Sequence, residues 1–332
     1  MRRGGAACGG GGAAPLGRRA ALAMMLGVVI ALGACGRGSP APSGTGPRYV
    51  VLSPALAVML RDLGQEDRIV ARHAYDLVLS EDRPVAGELG RIDYEVLLAS
   101  RPTHVLIEWG DPSQPLPERL VGLARERGIE VMRFSMLTLD DIIAAVERLE
   151  ADLPPSDRGP EPGAWPDQMR RAWQDRRIPG EAWPRYRGAG RVLLVASTDP
   201  VIGVIGPGSW HHQIIEAVGG VPAIEDGAPW MELTPEDVLR LAPEAIILIQ
   251  PRAPGVAAGG IAPSEVAAET QRRLGPLARL DIPAVRNGCV GVIDDPLSHT
   301  PSTAMVGLTQ RVEGLLASWA ARAERSSALP GL

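Results

Sequence analysis

Residues 154–190 constrain this chain more than any other stretch, because prolines 154, 155, 160, 162, 166, 179 and 184 punctuate them. Between those prolines, WPDQMRRAWQDRR (Trp165 to Arg177) is rich in helix formers. Pro166 fits the start of a helix and Ile178-Pro179-Gly180 its stop. On each side the same kind of series runs, short apolar strand-like segments alternating with helical ones, which is the pattern of α/β folds. The expected fold is therefore two α/β lobes, each a mostly parallel central sheet flanked by helices, joined by a single partly helical connector. The boundaries read 49–153 for the first lobe, 154–190 for the connector, 191–322 for the second lobe and 323–332 for a tail. Two lobes on one connector leave a cleft, where small ligands preferentially bind.

The amino end carries an address. Arg18-Arg19 precede an apolar run from Ala20 to Ala34, about 15 residues, too short for a spanning helix and right for a secretory signal. Leu32-Gly33-Ala34-Cys35 resembles the bacterial lipoprotein signal, in which the cysteine becomes the lipidated first residue. Residues 1–34 are thus expected to be a signal peptide and Cys35 a lipid anchor. Residues 35–48, rich in Gly, Pro and Ser, read as a disordered tether. The expected location is the periplasm or the outer face of the cytoplasmic membrane, lipid-anchored.

Removing residues 1–34 takes away four arginines and no acid, leaving 30 basic residues, all arginine, against 39 acids and a net charge of −9. Such a chain is a poor candidate for nucleic-acid binding. Of three cysteines, Cys289 alone remains unmodified, among apolar neighbours, so no disulfide framework is expected. Neither a G-x-S-x-G elbow, an H-E-x-x-H helix nor a G-x-x-x-x-G-K-[ST] loop is present; no enzyme is expected.

Along the first lobe, Tyr49 to Leu52 reads as a buried strand, and Ser53-Pro54 cap a helix from Ala55 to Leu63. Arg68 to Ala71 is a strand leading into Arg72-His73-Ala74-Tyr75-Asp76, at the carboxyl end where open sheets place ligands. A helix is expected over 90–98, a strand over 101–107 running into Glu108-Trp109-Gly110, a helix from Pro117, a strand over 129–132 and a helix from Thr138 to Leu153. In the second lobe, Arg191 to Ser197 is a strand, and Gly206-Pro207-Gly208-Ser209 turns the chain into a helix from Trp210 to Val218. Those glycines fit either an anion approaching the helix N-terminus or a plain tight turn. A helix over 234–239, strands over 245–249 and 290–293, a loop over 256–268 leading into a helix, and a last helix to about Ala320 complete the series.

This succession resembles the periplasmic binding proteins for iron complexes and vitamin B12. The matching segments are VVLSPALAVMLRDLG, RIVARHAYD, GRIDYEVLLASRPTHVLIEWG and LPERLVGLARERGIEV in the first lobe. VIGPGSWHHQIIEAVGG, WMELTPEDVLRLAPEAIILI and DDPLSHTPSTAMVGL follow in the second. The likeness covers about residues 47 to 320, and the proline-rich connector departs from it. It implies a monomeric substrate-binding lipoprotein of an ABC importer, delivering a metal chelate to a permease dimer with its ATPase subunits. It also implies that an acidic residue on each lobe docks on the permease: Glu118 and Glu236, each just after a proline. Helix-start chemistry explains the same two glutamates.

Candidate ligand residues are His73, Tyr75 and Trp109 from one lobe and Trp210, His211, Trp230 and His299 from the other. Broad indole rings offer area to a planar or macrocyclic ligand, or else plug the space between lobes. A neutral imidazole at a helix start can coordinate a metal or hydrogen-bond a ligand; equally, of His211 and His212 one would be solvated and the other packed. His104 reads as structural. No resident cofactor is expected; the cargo is a corrinoid, haem or ferric siderophore, and only Arg72 is placed to meet an anionic one. The alternatives are a binding protein for bare Zn or Mn and a non-transport receptor of the same fold.

Overall fold

The computed structural model describes residues 46–88, 90–111, 113–177, 179, 181–253 and 263–327. The expected signal peptide, Cys35 and most of the tether lie outside them, as do parts of the expected helix stop and of the loop over 256–268.

The first lobe contains, in order, β1 (Tyr49–Val51), α1 (Pro54–Asp62), β2 (Ile69–His73), β3 (Val85–Glu88), β4 (Arg91–Ile92) and α2 (Tyr94–Ala99). It continues with β5 (His104–Glu108), α3 (Glu118–Arg127), β6 (Glu130–Phe134) and α4 (Leu139–Asp152). Its sheet runs β4-β3-β2-β1-β5-β6, parallel except for the β3–β4 pair. Side-chain chemistry sets where the helices begin. Ser53 Oγ accepts from Leu56 N at 3.4 Å with Pro54 in the first turn, Asp93 accepts from Glu95 N and Val96 N, and Thr138 with Asp141 forms a reciprocal capping box. Asp93 also corrects one expectation. Because it caps the helix at Tyr94, the Arg91-Ile92 segment is left extended and pairs antiparallel with Gly87-Glu88 instead of being helical.

The connector holds one ten-residue helix, α5 (Ala164–Trp173), which starts one residue before the expected Trp165 and stops four short of Arg177. Beyond it come β7 (Arg191–Ser197), β8 (Ile202–Ile205), α6 (Trp210–Val218), β9 (Val221–Pro222), β10 (Trp230–Leu233) and α7 (Pro235–Leu241). Then follow β11 (Ala245–Ile249), α8 (Pro263–Leu274), α9 (Pro283–Arg286), β12 (Val290–Ile293) and α10 (Ala304–Ser327). The second sheet runs β10-β8-β7-β11-β12, with β9 beside β7; β7, β9, β11 and β12 are parallel, while β8 and β10 add an antiparallel edge. The last helix outruns the expected end near Ala320 and continues to Ser327.

Strand alternation decides where the core lies. Tyr49 and Val51 face one apolar cluster and Val50 another; Val192 and Leu194 face the first, Leu193 and Val195 a third; Ala245, Ile247 and Ile249 likewise oppose Ile246 and Leu248. The inward set from both sheets belongs to one continuous cluster, completed by Leu56 and Leu60 of α1, Ile142 and Val146 of α4, Met169 and Trp173 of α5 and Leu308 of α10. The lobes thus share a core along the connector side. Trp173 Nε1 donates to Thr309 Oγ1 at 2.9 Å within it, and Leu139 N donates to Gln213 Oε1 at 3.0 Å, tying α4 of one lobe to α6 of the other.

Candidate functional site

In the second lobe, four rings gather around the first turn of α6. Ser209 caps that helix, its Oγ accepting from His212 N at 3.1 Å, which places Trp210 and His211 at the helix start. The loop after β12 brings His299 against them, and β10 brings Trp230. The imidazoles of His211 and His299 lie 5.0 Å apart centre to centre at 72°. Trp230 stands 6.1 Å from His211 and 5.5 Å from His299, and Trp210 5.5 Å from His211. The glycine loop serves this assembly by letting backbones meet. Gly206 N donates to Pro229 O at 3.0 Å, and a Cβ on Gly206 would stand 2.5 Å from Ala228 O. Of the two readings of that loop, the tight turn is the one the geometry supports.

The tautomers follow from the partners. His211 Nε2 lies 2.7 Å from Ser298 O and His299 Nε2 3.1 Å from Ile249 O; a carbonyl only accepts, so each Nε2 donates and each Nδ1 keeps a lone pair. Those two Nδ1 atoms, Trp210 Nε1 and Ser298 Oγ are buried with no hydrogen-bond partner among the described residues. Burial holds the His211 pKa down to about 3, helped by the neighbouring His299 and opposed by the Ser298 carbonyl. His299 is lowered by burial too, against the Ile249 carbonyl. Both rings are therefore neutral at physiological pH and available as nitrogen donors.

In the first lobe, the carboxyl ends of the parallel strands open into a cavity of about 280 Å³, where the topology of open sheets puts ligands. His73, Glu88, Glu108, Trp109 and Gln114 line it. His73 ends β2, its Nδ1 accepting from Tyr75 N at 3.1 Å, and burial lowers its pKa while Asp76 and Glu88 pull the other way. Trp109 follows β5, its Nε1 bonded to Pro115 O at 3.1 Å. Arg133 fastens the loop carrying it by donating to the carbonyls of Gln114, Trp109 and Asp111. Glu108 Oε2 accepts from Ser53 Oγ at 2.8 Å; burial raises its pKa and the serine bond opposes the rise.

The seven candidate ligand residues thus fall into two groups. Trp210, His211, Trp230 and His299 form one contiguous cluster, with His211 only 1% exposed and Trp230 49% exposed as its outer cover. His73 and Trp109 line the first-lobe cavity, and Tyr75, 51% exposed, packs on His73 at 5.7 Å. His212 is buried as well, neither solvated nor in the cluster: its Nε2 bonds Ile224 O at 3.1 Å, and Glu216 lies 3.6 Å from its Nδ1. His104 lies edge-on to Tyr49 at 5.5 Å and 3.4 Å from Glu130, a structural role. Arg72, near the end of β2, braces backbone, and its Nε is buried with no hydrogen-bond partner among the described residues. Its guanidinium is directed to the carbonyls of His73, Ala74 and Glu81, pinning the turn after β2. Glu118 and Glu236 are both exposed in first helical turns; around Glu236 the capping box is made by Thr234 and Asp237, so the cap does not require it. Sequence reasoning passed over Glu108, Ser298 and Arg133. A carboxylate ending the buried run HVLIE was the one available signal for the first.

No model of a known protein family matches the chain, and no curated protein matches it. Solved structures do. The periplasmic vitamin B12 binding protein BtuF of Vibrio cholerae superposes with a TM-score of 0.57 at 19% identity, covering 82% of this chain and 98% of that one. The periplasmic haem-binding protein RhuT from Roseiflexus sp. RS-1 gives 0.58 at 20% identity, over 83% and 99%. A protein of an Fe3+-hydroxamate transport system from Saccharomonospora viridis gives 0.53 at 20% identity, over 82% and 93%. The two-lobe α/β architecture is therefore the fold of the periplasmic binding proteins for metal chelates, spanned here nearly from end to end of each relative.

Proposed function

We propose that this chain is the extracytoplasmic substrate-binding lipoprotein of an ABC importer, capturing a metal chelate between its lobes and delivering it to the permease. One observation carries the reading: two neutral imidazoles whose Nδ1 lone pairs find no partner among the described residues, set between two indoles. Buried polar groups are almost always satisfied, so such a cluster matches a ligand that brings its own acceptor of lone pairs, and a chelated metal is one. The indoles supply flat area for a macrocycle. The first-lobe cavity with Trp109, His73 and Tyr75 forms the opposite wall.

The likeness to B12, haem and hydroxamate binding proteins supports the class of cargo, and the ring-rich second lobe favours a corrinoid or haem. Among the described residues, no group of three or more His, Cys, Asp or Glu is placed to hold a metal ion. Capture and hand-over need no covalent chemistry. Glu118 and Glu236 present one carboxylate per lobe for docking on permease arginines, and Cys35 anchors the chain at the membrane face.

Absorbance titration of the purified protein with cyanocobalamin, haemin and a ferric hydroxamate tests the central claim. Saturable binding of one of them is expected, with loss on His211→Ala; no binding of any would overturn it. Radiolabelled fatty-acid incorporation that disappears in Cys35→Ser tests the anchor.

A further inference from the structure

We infer that Glu108 selects cargo by charge, admitting chelates whose edge carries amides or other hydrogen-bond donors and disfavouring those whose edge carries carboxylates. The inference rests on the chelate-binding reading and narrows it.

The charged groups lining the first-lobe cavity are Glu88, Glu108 and Arg91. Arg91 stands opposite Glu88 in the β3–β4 register, where opposite charges attract. Glu108 has a hydroxyl partner, Ser53, while the cation among the cavity's described lining residues, Arg91, stands in register with Glu88. Burial disfavours its charge and the bond donated by Ser53 favours it; in the ionised form that accepts from Ser53, Glu108 repels a carboxylate. A primary amide or an ammonium suits it, because the carboxylate oxygens accept hydrogen bonds.

The nearby arginines do not reverse this. The terminal nitrogens of Arg72 donate to carbonyls of the turn after β2, and those of Arg133 to carbonyls of the loop after β5. In the second-lobe cluster His211 and His299 are held neutral, and Arg252 pairs with Asp294 at 3.2 Å. A like charge brought close in a partly desolvated site is strongly disfavoured, so the expected discrimination is roughly tenfold or more in Kd.

Matched pairs of probes isolate the edge from the ring. Dicyanocobinamide and dicyanocobyrinic acid share a corrin and differ in amides against carboxylates; haemin and haemin dimethyl ester share a porphyrin. The wild-type protein is expected to bind the amide or ester member at least about tenfold more tightly. Glu108→Gln, which keeps an acceptor for Ser53, is expected to strengthen the acid member and bring the ratio within about threefold. Circular dichroism and Tm establish that the variant is folded. Equal or tighter wild-type binding of the acid member, or a ratio unchanged in Glu108→Gln, would overturn charge selection while leaving chelate binding intact. Failure of all four probes would overturn both.

Discussion

His211 and His299 meet edge to face, their centres 5.0 Å apart, and each is oriented by a main-chain carbonyl, Ser298 O for one and Ile249 O for the other. Rings fixed in this way have a defined tautomer and little freedom, and a pair of positive charges there would be both desolvated and mutually repelled.

That arrangement sets a pH dependence. His211 has a folded pKa of about 3 against about 6.5 unfolded, so between these values only the unfolded chain takes up the proton. Its contribution to stability is complete above about pH 6.5 and is lost as pH falls toward 3, at about 1.4 kcal/mol per pH unit. His299, also lowered, acts in the same direction. Urea unfolding of the wild type is expected to weaken more steeply from pH 7 to pH 5 than that of His211→Phe. Equal slopes would show that the imidazole takes up its proton inside the fold.

Trp230 separates binding from packing. Its ring is half exposed on an edge strand, touching His211 and His299. Trp230→Ala should cost less than about 1 kcal/mol of stability, as exposed substitutions do, while weakening a planar chelate by roughly tenfold, the range for a lost aromatic anchor. Thermal melts and absorbance titration give both quantities. A large fall in Tm with unchanged affinity would make Trp230 a plug between the lobes.

How far the sequence carried the fold depended on how local the determinant was. Ser53, Thr138 and Ser209 cap helices through contacts three residues away, so those starts were readable, and the fully buried run Ala245–Ile249 could be only a central strand. Arg91-Ile92 and Trp230–Leu233 are strands because of partners across an antiparallel ladder, which no local pattern encodes. The site divided the same way. His73 and Trp109, at the carboxyl ends of β2 and β5, were legible by type and position, whereas the carbonyl partners of Arg72 and the burial of Glu108 depend on the folded chain.

Arg133 tests how the Trp109 loop is held. One guanidinium reaches carbonyls of Trp109, Asp111 and Gln114, a fork that a single ammonium cannot reproduce. Arg133→Met is expected to lower chelate affinity severalfold and speed proteolysis within residues 109–116, with Arg133→Lys rescuing only part of each. Because the side chain serves backbone rather than ligand, the loss should be alike for carboxylate and amide probes. A loss confined to carboxylate probes would instead place Arg133 in direct contact with cargo.

Continuity of the core makes a claim about cooperativity. Trp173 on the connector helix is buried against both lobes' apolar residues, and its Nε1 bonds Thr309 on α10 in the same cluster. Two lobes that share such a seam should unfold together, giving a single transition whose midpoint agrees between circular dichroism and tryptophan fluorescence. Trp173→Phe removes the hydrogen bond and leaves a void, costing about 2–4 kcal/mol. Because that cost falls on the seam, the transition should move to lower urea as one step. Separate midpoints for the two probes in the wild type would mean that the lobes are stabilised independently and that Trp173 merely covers one of them.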